Sequence, residues 1–327
     1  MNDLNQVEMV TLEELVPQDH SYRKLLQYFN FDSVAYRLRK LEKNEDTGAI
    51  GYGLDRLFRC LLLQFIEDLS DRELEKMLQE NTAAKFFCGF NLRDKTPDHT
   101  LFSKTRKKIG TRQLGKMFEK LRDQLKSNGY MNEVFNFVDA SHLVSKANLW
   151  EERDKAIKEK YDKLNNETLP KVAADPQARI GCKGGNKFWY GYKEHVCVDM
   201  QSGFIGRIAI TPGNVTDAKG LKHACPRKGA LYADKGYCTK PAQEILAKHG
   251  VHDATIKLNH MKVKDKQKDR WLSHIRAPYE RVFSQRNRRV RYRGVEKNQF
   301  AGFMRAIAFN MKRMLQVKPP DQALCLA

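Results

Sequence analysis

The chain has no two cysteines set two residues apart. Its seven cysteines (Cys60, Cys88, Cys182, Cys197, Cys225, Cys238 and Cys325) are odd in number and widely spread. That pattern argues against a zinc ribbon, a zinc finger or a disulfide framework, and for reduced, partly buried thiols. No apolar run reaches the roughly 18 residues needed to span a bilayer. The opening residues, Met1 to Asn5, lack the basic and apolar regions of a signal peptide, so a cytoplasmic protein with no membrane partner is expected. There is no repeat of fixed period and no long low-complexity tract. Acidic residues are scarce beside basic ones: 40 Asp and Glu stand against 59 Lys and Arg, a net charge of +19.

The shortage of acid is uneven. Residues 1–130 carry 22 Lys and Arg against 20 Asp and Glu, whereas residues 131–327 carry 37 against 20. The excess of +17 in the second stretch predicts a polyanionic partner there, most often nucleic acid. A generic basic surface on a ribosome-associated protein has the same charge, so charge alone leaves both open. The length of 327 residues suits about two domains, and 41% hydrophobic with 30% charged residues suits a globular chain.

The first stretch reads as helices. Ser21 to Phe29 and Ser33 to Leu41 have helical apolar spacing, and Leu54 to Leu69 carries a strong stripe of Leu, Phe and Ile. Ser70 and Glu73 form a capping-box pattern. Thr96-Pro97 is the signature of another helix start, and Thr111 opens a further helix that stops at Gly129. An all-α domain over residues 1–130 follows. Its Ser70–Ile109 portion admits a helix-turn-helix-like DNA reader, with Lys104, Arg106 and Lys107 on the reading helix, and equally a plain bundle.

From Phe135 the texture changes. Phe135 to Asp139, Phe188 to Met200, Phe204 to Ile210, Leu231 to Asp234 and Ala254 to Leu258 read as five strands. Residues 145–187 form an insertion or linker between the first two, with a helix over Trp150–Leu164 and a loop at Gly181–Lys187. Helices are expected over Pro241–His249, around Glu280 and over Phe300–Leu315. The stripe of Phe300, Phe303, Met304, Ile307, Met311 and Met314 reads as core packing. A hairpin followed by crossovers gives an α/β architecture, a mixed sheet flanked by helices, over residues 131–327.

Two of these strands end in a carboxylate, Asp139 and Asp234, and Glu280 sits inside a basic segment. Phosphodiester cleavage needs an activated nucleophile and neutralised leaving oxygens, which two Mg²⁺ ions supply. Mg²⁺ prefers a few carboxylates and keeps positions for water and phosphate. Asp139, Asp234 and Glu280 are the candidate catalytic and metal-binding residues, with Mg²⁺ as the expected ion and Mn²⁺ as a substitute. A strand-end Asp alone is more often a turn or cap residue. Around Glu280 lie Arg276, Arg281, Arg286, Arg288 and Arg289, whose guanidinium groups suit phosphate. Lys193 and Lys235 are further candidate DNA contacts. Asp199 reads as a hairpin-turn residue, Asp217 as a helix cap, and His142 and His195 as core or neighbouring residues.

Several motifs resemble the bacterial insertion-sequence DDE transposases of the insertion-sequence-five group. They are Pro97-Asp98-His99-Thr100-Leu101-Phe102-Ser103, the strand around Asp139, and Tyr190-Gly191-Tyr192-Lys193-Glu194-His195. Thr211-Pro212-Gly213-Asn214-Val215-Thr216-Asp217, Tyr232-Ala233-Asp234-Lys235-Gly236-Tyr237 and Arg276 with Glu280 complete the set. The resemblance covers about residues 10–315. It implies an RNase H-like core, a metal-binding triad of Asp139, Asp234 and Glu280, recognition of transposon ends, joining of 3′-hydroxyls to target DNA, and a homodimer that pairs two ends. Ser273 and Asn287 stand where relatives often carry Tyr and Lys. Another RNase H-like nuclease and a non-catalytic DNA-binding regulator are the competing readings.

Overall fold

The computed structural model describes residues 9–42, 51–159, 164–184, 187–258, 265, 267, 269–275 and 289–317. Arg276, Glu280, Arg281, Arg286, Arg288 and Asn287 lie outside them. The chain divides into two compact units, residues 1–121 with 307–317, and residues 122–306 with 318–327.

The first unit is helical: α1 (Leu12–Leu15), α2 (Ser21–Tyr28), α3 (Asp32–Arg39), α4 (Leu54–Ile66), α5 (Asp71–Glu80), α6 (Thr82–Cys88) and most of α7 (His99–Ser127). The expected stripe builds its core. Leu54, Phe58, Leu61, Leu62 and Ile66 of α4 are buried, as are Leu74 and Leu78 of α5. The capping box at Ser70 is present: its hydroxyl takes the Glu73 N–H, and the Glu73 carboxylate takes the Ser70 N–H. Helix α7 starts at His99, two residues after Pro97, with the Asp98 carboxylate accepting the Thr100 N–H. Gly110 (φ +70°) breaks α7 immediately before Thr111, where a second helix start is expected from the sequence.

The second unit holds a six-stranded mixed sheet: β1 (Phe135–Val144), β2 (Arg179–Lys183), β3 (Lys187–Asp199), β4 (Ile205–Pro212), β5 (Ala230–Tyr232) and β6 (His252–Asp253). The order is β2-β3-β1-β5-β6, and β4 also pairs with β3. β2 and β4 share one edge of β3, along its first and second halves. β1 runs antiparallel to β3 and parallel to β5, which is parallel to β6.

Two differences from the five strands expected have local causes. Arg179–Lys183, expected partly as loop, is a strand although Ile180 and Cys182 are its only apolar side chains. Gly181 makes the pairing feasible: a Cβ there would stand 2.3 Å from the Trp189 ring and 2.5 Å from the Gly213 carbonyl. The last strand is short because the Asp253 carboxylate takes both the N–H and the hydroxyl of Thr255, which turns the chain. Ala254 and Ile256 still donate to Leu231 and Ala233, so the segment expected as a strand runs on beside β5.

The helices of this unit include α8 (Leu149–Lys158), α9 (Leu169–Val172), α10 (Asp217–Ala224) and α11 (Lys240–Lys248), and the unit holds the first part of α12 (Val295–Met314). Helices α10 and α11 cover the sheet through an apolar cluster of Val138, Cys197, Leu221, Leu231, Ala233, Tyr237 and Leu246. α12 begins five residues before the expected Phe300, after Gly294 (φ +90°). Its Gln299 side chain bonds the backbone of Ile208 and Ile210, and Arg305 pairs with the buried Glu194 at 2.7 Å. Among the described residues, no helix is long and apolar enough to cross a membrane.

Candidate active site

The apolar residues that end β1's buried core and β5 place two carboxylates together. β1 and β5 are neighbours in parallel register, with Phe137 opposite Tyr232. Asp139 and Asp234 each follow two residues later, Asp139 still within β1 and Asp234 just past the end of β5. Each follows a buried residue, Val138 or Ala233, of the same cluster, and each is itself half-buried. Such aspartates are held from below by packing and remain reachable from solvent. The Asp139 carboxylate accepts the Ala140 N–H at 2.8 Å. That of Asp234 accepts the Gly236 N–H at 2.9 Å, which fixes the turn of the short 3₁₀ helix Lys235–Tyr237.

A third carboxylate adjoins them. Thr216, not Asp217, caps α10, its hydroxyl taking the Lys219 N–H. Asp217 is the first helical residue, and its Oδ1 accepts a hydrogen bond from Lys193 Nζ at 2.8 Å. Its Oδ2 lies toward Gly236: a Cβ on that glycine would stand 3.8 Å from Oδ2 and 3.0 Å from Asp234 Oδ1. The ammonium of Lys193 lies 5.7 Å from the centre of the Trp189 ring.

Behind these groups the site is closed. His195 is fully buried; Nε2 meets the Thr211 hydroxyl at 2.9 Å, and Nδ1 has no partner. α10 lies on the ring so closely that a Cβ on Gly220 would stand 2.1 Å from it. Burial pushes the His195 pKa down to about 4, so the ring is neutral at pH 7. Tyr237 is buried with no partner for its hydroxyl. Burial, then the charges of Asp217, Asp139 and Asp234, push its pKa well up. His142 is half-buried, its ring 5.4 Å from that of Trp189.

The candidate DNA contacts fall into distinct settings. Lys104, Lys107, Lys235 and Arg289 are exposed. Arg106 is mostly buried and doubly bonded to Asp71, at 2.9 and 2.5 Å. Glu280, Arg276, Arg281, Arg286 and Arg288 lie outside the described residues, but the chain that leaves that stretch is anchored. Arg289 bridges to Val144 at the end of β1, and the Val290 N–H bonds the Val144 carbonyl. Next, the Gly294 N–H reaches Asp175 at 3.1 Å.

Asp175 is the residue that the sequence reading passes over. It is 0% exposed, and its carboxylate accepts the Tyr192 hydroxyl, the Ser145 hydroxyl and the Gly294 N–H. The sequence signal was faint: an Asp before a proline, in a stretch taken for a linker. Burial, together with Asp175, raises the pKa of Tyr190 and Tyr192 above the ordinary phenol range.

A divalent ion fits the donor set that is described. Asp139 and Asp234, each two residues past the paired Phe137 and Tyr232, offer hard carboxylate oxygens, and the buried Tyr237 hydroxyl, on which the charges of both act, lacks a partner. Among the described residues no three acidic, His or Cys side chains gather closely enough to hold a metal, and the expected third ligand, Glu280, is not one of those residues.

Comparison with known proteins assigns the chain. Residues 10–108 match the family model "Transposase domain (DUF772)", and residues 160–311 match "Transposase DDE domain". The second match takes in Asp234 and Glu280 but starts after Asp139, whose place rests on the register of β1 with β5. Among solved structures, a Mos1 transposase paired-end complex with the left transposon end is 9% identical, over 85% of this chain and 83% of that one, with a TM-score of 0.18. A pre-cleavage Mos1 transpososome is 11% identical over 82% and 97%, also with a TM-score of 0.18. The assignment rests on the two family models. Together those models take in most of the chain, which belongs to the DDE transposases.

Proposed function

We propose that this transposase is of the insertion-sequence-five group and acts by cutting at transposon ends and joining the 3′-hydroxyls to target DNA. The observation that supports the reading is that Phe137 of β1 is partnered with Tyr232 of the parallel strand β5 and that Asp139 and Asp234 each come two residues after these, in a chain that matches a transposase DDE domain. Asp139, Asp234 and Glu280 would hold Mg²⁺, with Mn²⁺ as a substitute. When bound, the ions acidify the nucleophile and neutralise the leaving oxygen. In the first step water attacks the phosphorus at the transposon end, releasing a 3′-hydroxyl and leaving a 5′-phosphate. In the second that 3′-hydroxyl attacks a target phosphodiester and displaces the target strand's own 3′-oxygen.

The rest of the chain has parts in this account. The apolar cluster under Val138 and Ala233 fixes the two aspartates before DNA arrives, so little reorganisation accompanies reaction. Arg276, Arg281, Arg286, Arg288, Arg289 and Lys235 hold phosphate in an RNase H-like domain of residues 131–327. The helical domain of residues 1–130, through Lys104 and Lys107, contributes to end recognition. A homodimer pairs two ends, and the enzyme works in the cytoplasm on the nucleoid. The test is Mg²⁺-dependent cleavage by the full chain on duplexes that carry the element's ends and on random duplexes. The reading expects cleavage of the former with a metal requirement; equal cutting of both argues for a nuclease without end specificity, and binding without cutting for a regulator.

A further inference from the structure

Four observations meet beside the Asp234 turn. Asp217 is not needed as a cap, because Thr216 fills that place. Its Oδ1 is pinned by Lys193, whose side chain is only 13% exposed. Its Oδ2 lies toward the same Gly236 position that Asp234 Oδ1 adjoins. Tyr237, one residue on and 1% exposed, buries a hydroxyl with no partner, and among the charges acting on that oxygen Asp217 comes first, then Asp139 and Asp234.

A carboxylate present only to neutralise Lys193 has no reason to bring its second oxygen toward another aspartate, since like charges repel. A buried hydroxyl without an acceptor is equally unfavourable. One group resolves both: a hydrated divalent cation, which supplies positive charge among the carboxylates and a water oxygen for the phenol to bond.

We propose that Asp217 is an outer partner of the divalent-cation site, its Oδ2 accepting from the water that hydrates the cation bound at Asp139 and Asp234, with Lys193 as the positioning residue that fixes it. The inference rests on the proposed site at Asp139 and Asp234. It gives Lys193 a role through Asp217 in place of direct contact with DNA phosphate.

The test is Mn²⁺ binding to the full chain without DNA, followed by the loss of the free-ion paramagnetic resonance signal, with thermal melting of each variant alongside. Asp217→Asn should weaken Mn²⁺ about tenfold, the range seen when an outer partner of a metal site is lost. Lys193→Met should weaken it less, and Asp217→Glu, which keeps the carboxylate and covers the case in which the amide variant fails to fold, should restore part of the affinity. Wild-type Mn²⁺ affinity in Asp217→Asn with a lowered melting temperature would make the Lys193–Asp217 pair structural only and overturn the inference. Unchanged Mn²⁺ affinity in Lys193→Met with weakened DNA binding would overturn the positioning role. Asp139→Asn and Asp234→Asn separate the two levels: if they lose Mn²⁺ and Asp217→Asn does not, only this inference fails, and if they too bind as wild type, the underlying site fails.

Discussion

Two sets of aspartates in the same α/β unit are treated in opposite ways. Asp175 and Asp199 are 0% exposed and surrounded by donors. Asp175 takes two hydroxyls and an N–H, and Asp199 takes the N–H groups of Glu133 and Ser202 and the Ser202 hydroxyl. Asp139 and Asp234 are half-buried, with short local bonds to Ala140 and Gly236 that orient them. A saturated carboxylate binds segments of its own chain together. One that is oriented yet reachable from solvent can also meet something from outside. The contrast fits the proposal that Asp139 and Asp234 serve chemistry while Asp175 and Asp199 serve the fold.

The sharpest way to break this contrast is to remove one charge at a time. Asp139→Asn or Asp234→Asn should abolish metal-dependent cleavage while DNA affinity stays within a few-fold and thermal stability changes little. Asp175→Ala should do the reverse in stability: it leaves the buried Tyr192 and Ser145 hydroxyls without their carboxylate acceptor, at a cost of about 3 kcal/mol, read as a fall in the denaturant midpoint. If the Asp139 variant unfolds and the Asp175 variant melts as wild type, the two sets have been assigned the wrong way round.

A smaller effect concerns pH. The His195 pKa falls from about 6.5 in the unfolded chain to about 4 in the fold, chiefly because the ring is buried. Between those values the unfolded state binds more protons. Stability from this residue is therefore complete above pH 6.5 and is lost as pH falls toward 4, with a slope of up to about 1.4 kcal/mol per pH unit. His195→Gln should flatten that part of the stability-against-pH curve, as followed by urea unfolding; an unchanged slope would show that the ring is not buried neutral.

The smallest effect separates basic residues. Lys104→Ala and Lys107→Ala remove exposed charges and should each lower the salt dependence of DNA binding by about one counterion if they meet phosphate. Arg106→Ala breaks a partly buried pair with Asp71 and should lower the stability of the helical unit instead. Titrations at several salt concentrations and thermal melts of the three variants decide between these roles.

Much of this was legible in the sequence because it is local. The Ser70–Glu73 box, the stripe of α4, the β3–β4 hairpin and the break before Thr111 are each written within a few residues. Asp139 and Asp234 are distant in sequence, but each follows an apolar run, and parallel pairing does the rest. What stayed hidden is partner choice. Lys193 meets Asp217 across 24 residues, Arg106 meets Asp71 across 35, and Asp175 meets Gly294 across 119. Composition tells how many charges exist, not which ones cancel. β2 was hidden for a related reason, because its fit depends on the Trp189 ring lying over Gly181.

The account turns on whether Asp234 touches a metal ion. Asp234→Cys replaces a hard oxygen with a soft sulfur that Mg²⁺ binds poorly and Mn²⁺ accepts more readily. Cleavage of an end-containing duplex by this variant should be lost in Mg²⁺ and substantially restored in Mn²⁺. Full activity in Mg²⁺, or equal loss in both ions with the fold intact, would contradict it.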